Sequence, residues 1–506
     1  MKMLAMVSSA FIAAVVAACV VAPPSSGGVV DHAPDPSAPA RAGEPLPGLS
    51  ALQLQLFEQG REAFAELDSV DGAGDTSKGL GPRFNLNSCS GCHGFPAVGG
   101  SSGLVNPEPI VGKLDGATND VGLPFLRSDG PVIEVRFKSL MNIQGKFVSP
   151  RQADGGVHAL FTITGRSDAG GCDIPQPPFR QAWNRDNVSL RIPTPVFGLG
   201  LIEAIDEATI RGNSLESMLE ANTGGYGDAG GVTAGQMADK IKMYRQLGIV
   251  GRVGRGRENR SGNDGTITRF GWKAQNKSLL LFSGEAYNVE QGVTNELFPN
   301  ERDGEAGALP AACKANATPE DDTRFDGSPT SEFSAVAGDL VKFELFMRLL
   351  APPRPACDLA QSGSCSASVV RGSRVFDQVY CSACHVRQLK ISAASIEAIS
   401  AQKSAHLYSD LLLHRMGACQ PNKDHRPRCL ADDISQGEAR GDEFRTAPLW
   451  GVGQRVFFLH DGRARDLPAA ILAHKGPGSE ANTVVSYYEK LPTAARQDLI
   501  DFLRSL

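Results

Sequence analysis

The pentapeptide Cys-x-x-Cys-His occurs twice in this chain, as Cys89-Ser90-Gly91-Cys92-His93 and as Cys381-Ser382-Ala383-Cys384-His385. Two cysteines one helical turn apart, followed at once by a histidine, match what a covalent haem needs. Both thiols add to the vinyl groups and the histidine ligates the iron. The competing readings are a thioredoxin-like redox pair and half of a zinc site. Neither requires the trailing histidine, and no further Cys-x-x-Cys lies near either motif. The sequence predicts two covalently bound haem c groups, attached at Cys89, Cys92, Cys381 and Cys384, with His93 and His385 as iron ligands.

Such attachment belongs to an oxidising compartment, and the N-terminus agrees. Lys2 precedes an apolar run from Met3 to Ala18, broken only by Ser8 and Ser9, too short to span a bilayer and suited to a signal peptide. It ends in Val16-Ala17-Ala18-Cys19, which resembles a bacterial lipobox, so residues 1–19 read as a lipoprotein signal with Cys19 acylated. Ordinary small-residue cleavage is the alternative. Residues 20–50 carry seven prolines amid Ala, Ser and Gly and read as a disordered tether. The expected location is the periplasmic side of a bacterial membrane, held by the lipid anchor alone. Lys+Arg 50 against Asp+Glu 56, a formal charge of −6, argues against a nucleic-acid partner.

Distal ligands are less legible. After His93 the next histidine is His158, whereas His385 is followed by His406, His414, His425, His460 and His474, and by Met416. An internal repeat orders these. Pro195–Gly200 reads PVFGLG and Pro448–Gly453 reads PLWGVG. Trp272 leads GWKAQNKSL, with Leu279 seven positions on; His460 leads HDGRARDL, with Leu467 seven positions on. Each half runs haem motif, P-x-aromatic-G-x-G, then an aromatic or His residue before an apolar helix. The order predicts a mainly α fold of two cytochrome c-like haem domains, residues 51–353 and 354–506. The first carries irregular, partly β insertions near Val98–Ile192. The Gly- and Arg-rich stretch from Gly251 to Thr268 reads as an inserted loop over one haem.

The second-half stretch Arg445–His474, RTAPLWGVGQRVFFLHDGRARDLPAAILAH, resembles the C-terminal signature of the bacterial di-haem cytochrome c peroxidases. RFGWKA at Arg269–Ala274, DLLLHRMG at Asp410–Gly417 and FELFMRLLAPP at Phe343–Pro353 are closer still to the related di-haem oxidoreductases, also labelled thiol oxidoreductases. The resemblance spans about residues 50 to 506. It implies a distal ligand fourteen residues beyond His460, usually Met; here that position is His474, so the second haem is expected to be bis-His, with His414 the next candidate. It also implies that Trp272 lies between the haems and that Glu290, in NVEQG, is the acid–base group over the N-terminal iron. Its spacing from Trp272 is two short of the family's, and Glu203 is the competing carboxylate.

What the resemblance implies for activity is reduction of hydrogen peroxide at the N-terminal haem. The electrons come through the C-terminal haem from a donor protein such as a small cytochrome or cupredoxin. Two other classes stay open: an electron-transfer cytochrome without a substrate site, with a hidden ligand such as His158, and a di-haem oxidase of an organic or protein substrate. Calcium between the domains occurs in relatives, but no oxygen-ligand loop stands out here. Six further cysteines suggest up to three disulfides, with Cys357–Cys365, Cys419–Cys429 and Cys172–Cys313 one plausible set among fifteen.

Overall fold

The computed structural model describes residues 28–35, 38, 40–74, 76–222, 234–254, 267–302, 309–324, 336–392, 396–418 and 429–506. Helix predominates over strand, as expected, and among the described residues no helix is long and apolar enough to cross a membrane.

Two helix pairs set the frame. Ala51–Ala65 begins at a capping box between Ser50 and Gln53, and Phe57, Gly60 and Phe64 line its buried face. It crosses Asp339–Leu349, whose start is capped by Asp321 accepting from the Asp339 and Leu340 amides. In the second half Ser366 caps Ala367–Gln378, which crosses Thr493–Ser505. Both crossings close on a glycine. A Cβ on Gly60 would lie 2.4 Å from the Lys342 carbonyl oxygen, and one on Gly372 only 1.8 Å from that of Asp498. Paired phenylalanines follow each: Phe64 with Phe346 at 5.0 Å, Phe376 with Phe502 at 5.4 Å.

The repeat seen in the sequence has matching local structure. Gly198 and Gly451 both adopt positive φ, 68° and 72°. Phe270 bridges Asn276 and Phe458 bridges Ala464, forming two tight loops that carry Trp272 and His460. Each loop leads into a helix capped by a side-chain oxygen, Ser278 before Leu279–Ala286 and Asp466 before Leu467–Leu472. The offset that carries Trp272 to His460 carries Ala286 to His474.

Between Val98 and Ile192 the first half holds a three-stranded antiparallel sheet. Glu134–Phe137 is central, flanked by Val157–His158 and Val188–Arg191, with Val135 opposite both His158 and Leu190. A Cys172–Cys313 disulfide ties this region to the chain that follows Glu290, and Cys357–Cys365 closes a short loop. The suggested Cys419–Cys429 pair lies outside the described residues, since Cys419 is not among them.

One expectation needs correction. Among the described residues from Gly28 onward, the segment expected as tether is docked. Val29 is buried against Phe458, Leu467 and Leu503, Asp31 pairs with Arg504, and Arg41 bonds Gln454. Proline-rich composition gives such a strand no core of its own, but it can be ordered by another segment's surface. The surplus chain of the first half, expected over one haem, reaches the second motif. Helices Leu215–Asn222 and Ala234–Leu247 pack together, and Tyr244 donates to the Ala383 carbonyl (2.6 Å) inside the second motif. Of the Gly251–Thr268 loop, residues 255–266 lie outside the described residues.

Candidate functional site

At the first motif, Cys89–Cys92 forms one helical turn, and the His93 amide closes it on the Cys89 carbonyl. The next residues wrap back so that Gly99 and Gly100 donate to the His93 carbonyl. A Cβ on Gly100 would lie 1.9 Å from the Phe95 oxygen, so this return requires glycine. His93 Nδ1 bonds the Gly100 carbonyl at 3.1 Å. A carbonyl only accepts, so Nδ1 carries the proton and Nε2 is the nitrogen left to ligate. Burial pushes the His93 ring down to about 4, keeping it neutral as a ligand must be.

At the second motif, a turn at Cys381–Ala383 delivers His385, whose Nδ1 donates to the Tyr408 carbonyl (3.0 Å). His474 follows Leu467–Leu472, with Nδ1 donating to the Ala470 carbonyl at 2.8 Å. Both Nε2 atoms are thus left for a metal, and the two ring centres stand 6.5 Å apart. Imidazoles ligating one metal from opposite sides at about 2.0–2.1 Å, with ring centres roughly 1.1 Å behind each nitrogen, would have centres about 6.3 Å apart. Both line a cavity of about 220 Å³ walled by Phe376, Leu449, Phe458, Ile471, Val485 and Leu503.

That cavity fits a haem by a further criterion. Arg455 lines it, and its buried Nε and Nη2 atoms find no partner among the described residues. An unpaired buried guanidinium is costly, and a haem propionate is the anion that would satisfy it. The four motif cysteines are free thiols, although two other cysteine pairs form disulfides. The motif thiols are therefore open to haem attachment and form no redox disulfide here.

Of the other described histidines, three bond or stack on neighbouring side chains and two are exposed; His425 lies outside the described residues. His414 lies between Asp410 (Nε2 to Oδ2, 2.9 Å) and Glu480 (Nδ1 to Oε2, 2.8 Å). Burial opposes its charge, but Cys384 and Asp410 outweigh burial and raise its pKa well above the usual range. The group Cys384, Asp410 and His414 could in principle hold a metal ion. With both ring nitrogens committed to carboxylates, His414 is a charged anchor and not the second haem's ligand. His158, the candidate hidden ligand, stacks on Phe137 at 3.9 Å and its Nε2 bonds Asp154. His460 stacks on Phe444 at 4.5 Å, while His32 and His406 are exposed. The ring paired with His93 is Phe64, at 6.0 Å.

Glu290 sits on a wide turn, Tyr287–Gln291, docked on the stretch before the first motif. The Asn85 amide donates to the Glu290 carbonyl (2.7 Å), Asn85 Nδ2 to its carboxylate (3.3 Å), and Cys89 Sγ to Gln291 Oε1 (3.2 Å). Burial first, then the neighbouring Glu134 carboxylate, pushes Glu290 up to about 8. Glu134 is held low by Arg136 despite burial. A third carboxyl, Glu108, accepts from Asn106 and the Ile133 amide, and burial raises it to about 8. Burial and the fields of Glu290 and Glu108 push the Cys92 thiol well up, so these acids surround the first motif. The sequence singled out Glu290 alone; Glu108 and Glu134 lie in the insertion and carried no motif. Glu203, the competing carboxylate, is structural: it caps Leu279 and pairs with Arg348.

Trp272 donates from Nε1 to the Ile192 carbonyl at 2.9 Å. On one side it packs with Phe95, two residues beyond His93; on the other it joins Met416, Leu430 and Phe444 at the wall of the second cavity. Behind it Lys273 is fully buried, paired with Asp432 (2.9 Å) and set over the Phe444 ring at 3.8 Å. Arg191 shares Asp432 at 2.7 Å.

These features define a haem-binding oxidoreductase, and comparison with known proteins narrows the class. Residues 255–506 match the family described as "Di-haem oxidoreductase, putative peroxidase". Through this half the chain belongs to the di-haem oxidoreductase family; the match includes Trp272, Glu290 and the second motif, and the first motif lies outside it. No curated protein matches. Among solved structures, a chain of Kuenenia stuttgartiensis hydrazine synthase pressurised with 20 bar xenon is similar at 17% identity and a TM-score of 0.21. The overlap covers 34% of this chain and 58% of that one, too slight a likeness to carry any argument.

Proposed function

We propose that the protein is a di-haem c-type oxidoreductase that reduces hydrogen peroxide at the N-terminal haem with electrons received through the C-terminal haem. The observation that carries this reading is the asymmetry of the two motifs. The His385 ring stands at ligand spacing from that of His474, whereas the ring paired with His93 is Phe64, and Glu290, Glu108 and Glu134 act on the Cys92 thiol next to it.

His93 would hold one haem, attached at Cys89 and Cys92; His385 and His474 would hold the other, attached at Cys381 and Cys384, with Arg455 taking a propionate. The bound groups supply one-electron redox chemistry at iron, so that peroxide with two electrons and two protons gives two waters. The chain's own task at the first site is proton handling. As carboxylate, Glu290 would accept a proton from one peroxide oxygen and return it to the other, which leaves as water. Glu134, kept charged by Arg136, stands beside it as a fixed neighbour. Trp272, fixed by Ile192, offers an indole stepping point between the sites.

Two cytochrome c-like domains, residues 51–353 and 354–506, are supported by the two glycine-closed helix pairs. Export, acylation at Cys19 and a periplasm-facing location belong to this proposal and rest on residues outside those described. A small cytochrome or cupredoxin is the proposed donor. The electron-carrier alternative needs a second ligand at the first haem, and its candidate, His158, is stacked on Phe137 and bonded to Asp154.

The deciding experiment is electron paramagnetic resonance of the half-reduced protein before and after peroxide. A high-spin ferric signal that peroxide changes is expected. Two low-spin signals indifferent to peroxide would leave an electron carrier and remove the roles given to Glu290 and Trp272.

A further inference from the structure

We propose that Asp31, on the N-terminal strap, is a positioning residue for His474 and sets how firmly the second haem's far ligand is held. The proposal rests on the reading of His474 as that ligand.

The Asp31 side chain is only 2% exposed, an uncommon place for a carboxylate so near the start of a chain. Its Oδ2 accepts from the Leu467 amide at 2.6 Å, and both oxygens bind the Arg504 guanidinium, at 2.5 and 2.9 Å. Leu467 opens the helix that leads to His474. Asp466 already caps this helix by accepting from Ala469, so Asp31 satisfies a second of its free amides. A negative charge there also suits the positive end of the helix. At the other end, the Ala470 carbonyl fixes His474 Nδ1, and Ser479 Oγ donates to the His474 carbonyl at 2.6 Å.

A continuous chain of bonds therefore runs from Asp31 through one short helix to the ligating ring. Arg504 anchors the opposite side, since its Nη1 also binds the Gly453 and Arg455 carbonyls. The strap is held in register by Gln497, which donates to the Val30 carbonyl and accepts from its amide, and by Val29 in the apolar cluster with Leu467 and Ala470. Nothing comparable serves the first site: the residue at the matching offset is Ala286, which has no ligand to present.

The test compares full-length holoprotein with Asp31→Ala, Asp31→Asn, Arg41→Ala and His474→Ala variants. It follows carbon monoxide binding to the reduced protein and the high-spin fraction of the oxidised protein. In wild type one haem, the N-terminal one, is expected to bind carbon monoxide readily. His474→Ala should open the second completely. Asp31→Ala should bind carbon monoxide at the second haem about tenfold faster than wild type, the effect typical of losing one helix-capping bond. Asp31→Asn keeps an acceptor for Leu467 and loses the ion pair, so it should fall between. Arg41→Ala loosens the strap away from the Leu467 helix, where its Nη1 binds the Arg354 and Ser505 carbonyls, and should leave the second haem closed. If His474→Ala opens the haem while Asp31→Ala and Asp31→Asn behave as wild type, the positioning role is overturned and the ligand reading stands. Should His474→Ala leave the second haem closed, both fall. If Asp31→Ala does not fold, Asp31→Asn against Arg41→Ala decides on the same criterion.

Discussion

The two Cys-x-x-Cys-His segments hold their histidines in the same way and surround them in opposite ways. His93 and His385 each give the Nδ1 proton to a backbone carbonyl, Gly100 in one case and Tyr408 in the other. Beside His385 stand a second imidazole and apolar walls; beside His93 stands a phenyl ring, and buried carboxyls act on the adjacent Cys92. A metal saturated by two imidazoles in an apolar cavity suits electron transfer with little rearrangement. A metal with one protein ligand, beside acids whose proton affinities differ, suits bond-breaking with proton transfer. The difference comes from what each insertion carries. One brings Glu108 and Glu134 to the first motif, and the offset that gives the second half His474 gives the first half Ala286.

The sharpest way to break this comparison is Glu290→Gln. Peroxide turnover should fall by about 10²–10⁴-fold while both haem spectra persist, as measured by steady-state kinetics with a reduced donor. In the unmodified protein the peroxide step should rise with pH through about 8, because accepting a proton requires the carboxylate and burial has raised Glu290 to that value. The variant's profile should be flat across that window.

Gly200→Ala and Gly453→Ala probe whether the halves are built alike. A Cβ at either would lie 2.0 or 2.1 Å from a backbone oxygen, that of Arg348 or of Arg504. Each should destabilise by about 1–3 kcal/mol, and calorimetry should find the two losses similar. A large loss at one position alone would mean that the repeat is not structural. Arg455→Met should act on the second site only. Removing a nearby cation lowers the reduction potential of a haem, here by tens of millivolts, where ~59 mV per electron is a tenfold change in equilibrium. Spectroelectrochemical titration would locate the change, and a shift at the first haem instead would move Arg455 out of the second site. The smallest effect is expected from Trp272→Phe, which keeps the packing and loses the bond to Ile192. Interhaem electron transfer should slow by about tenfold with both potentials unchanged, in rapid-mixing kinetics.

Part of the second site was legible as a local motif, and the fourteen-residue step from the HDG segment to His474 was legible only through the family resemblance. Trp272 was legible because its copy, His460, repeats with its flanking glycines and leucines. The first site was legible only in part. Glu134 reaches it from a strand and Glu108 from the start of the short helix Glu108–Val111, and their meeting with Glu290 depends on tertiary pairing that no short pattern encodes. His414 misled for a related reason, because its charged partners Asp410 and Glu480 are distant or unmarked in sequence. The docked strap was illegible because its order is supplied by Arg504, Gln497 and Leu467 at the far end of the chain.

The largest apolar cluster unites Phe57, Phe64, Ile205, Phe270 and Phe346 with Leu389, Ile399 and Leu412. Bridges from Ile205 to Ile391 and from Arg252 to Leu413 stitch the same seam. On a chain made from the N-terminus forward, the first core cannot close until about four-fifths of the residues have emerged. Contacts so distant in sequence also form slowly. Cys89, which packs against this core, therefore stays reachable throughout that interval, and the proposed haem attachment would fall within it.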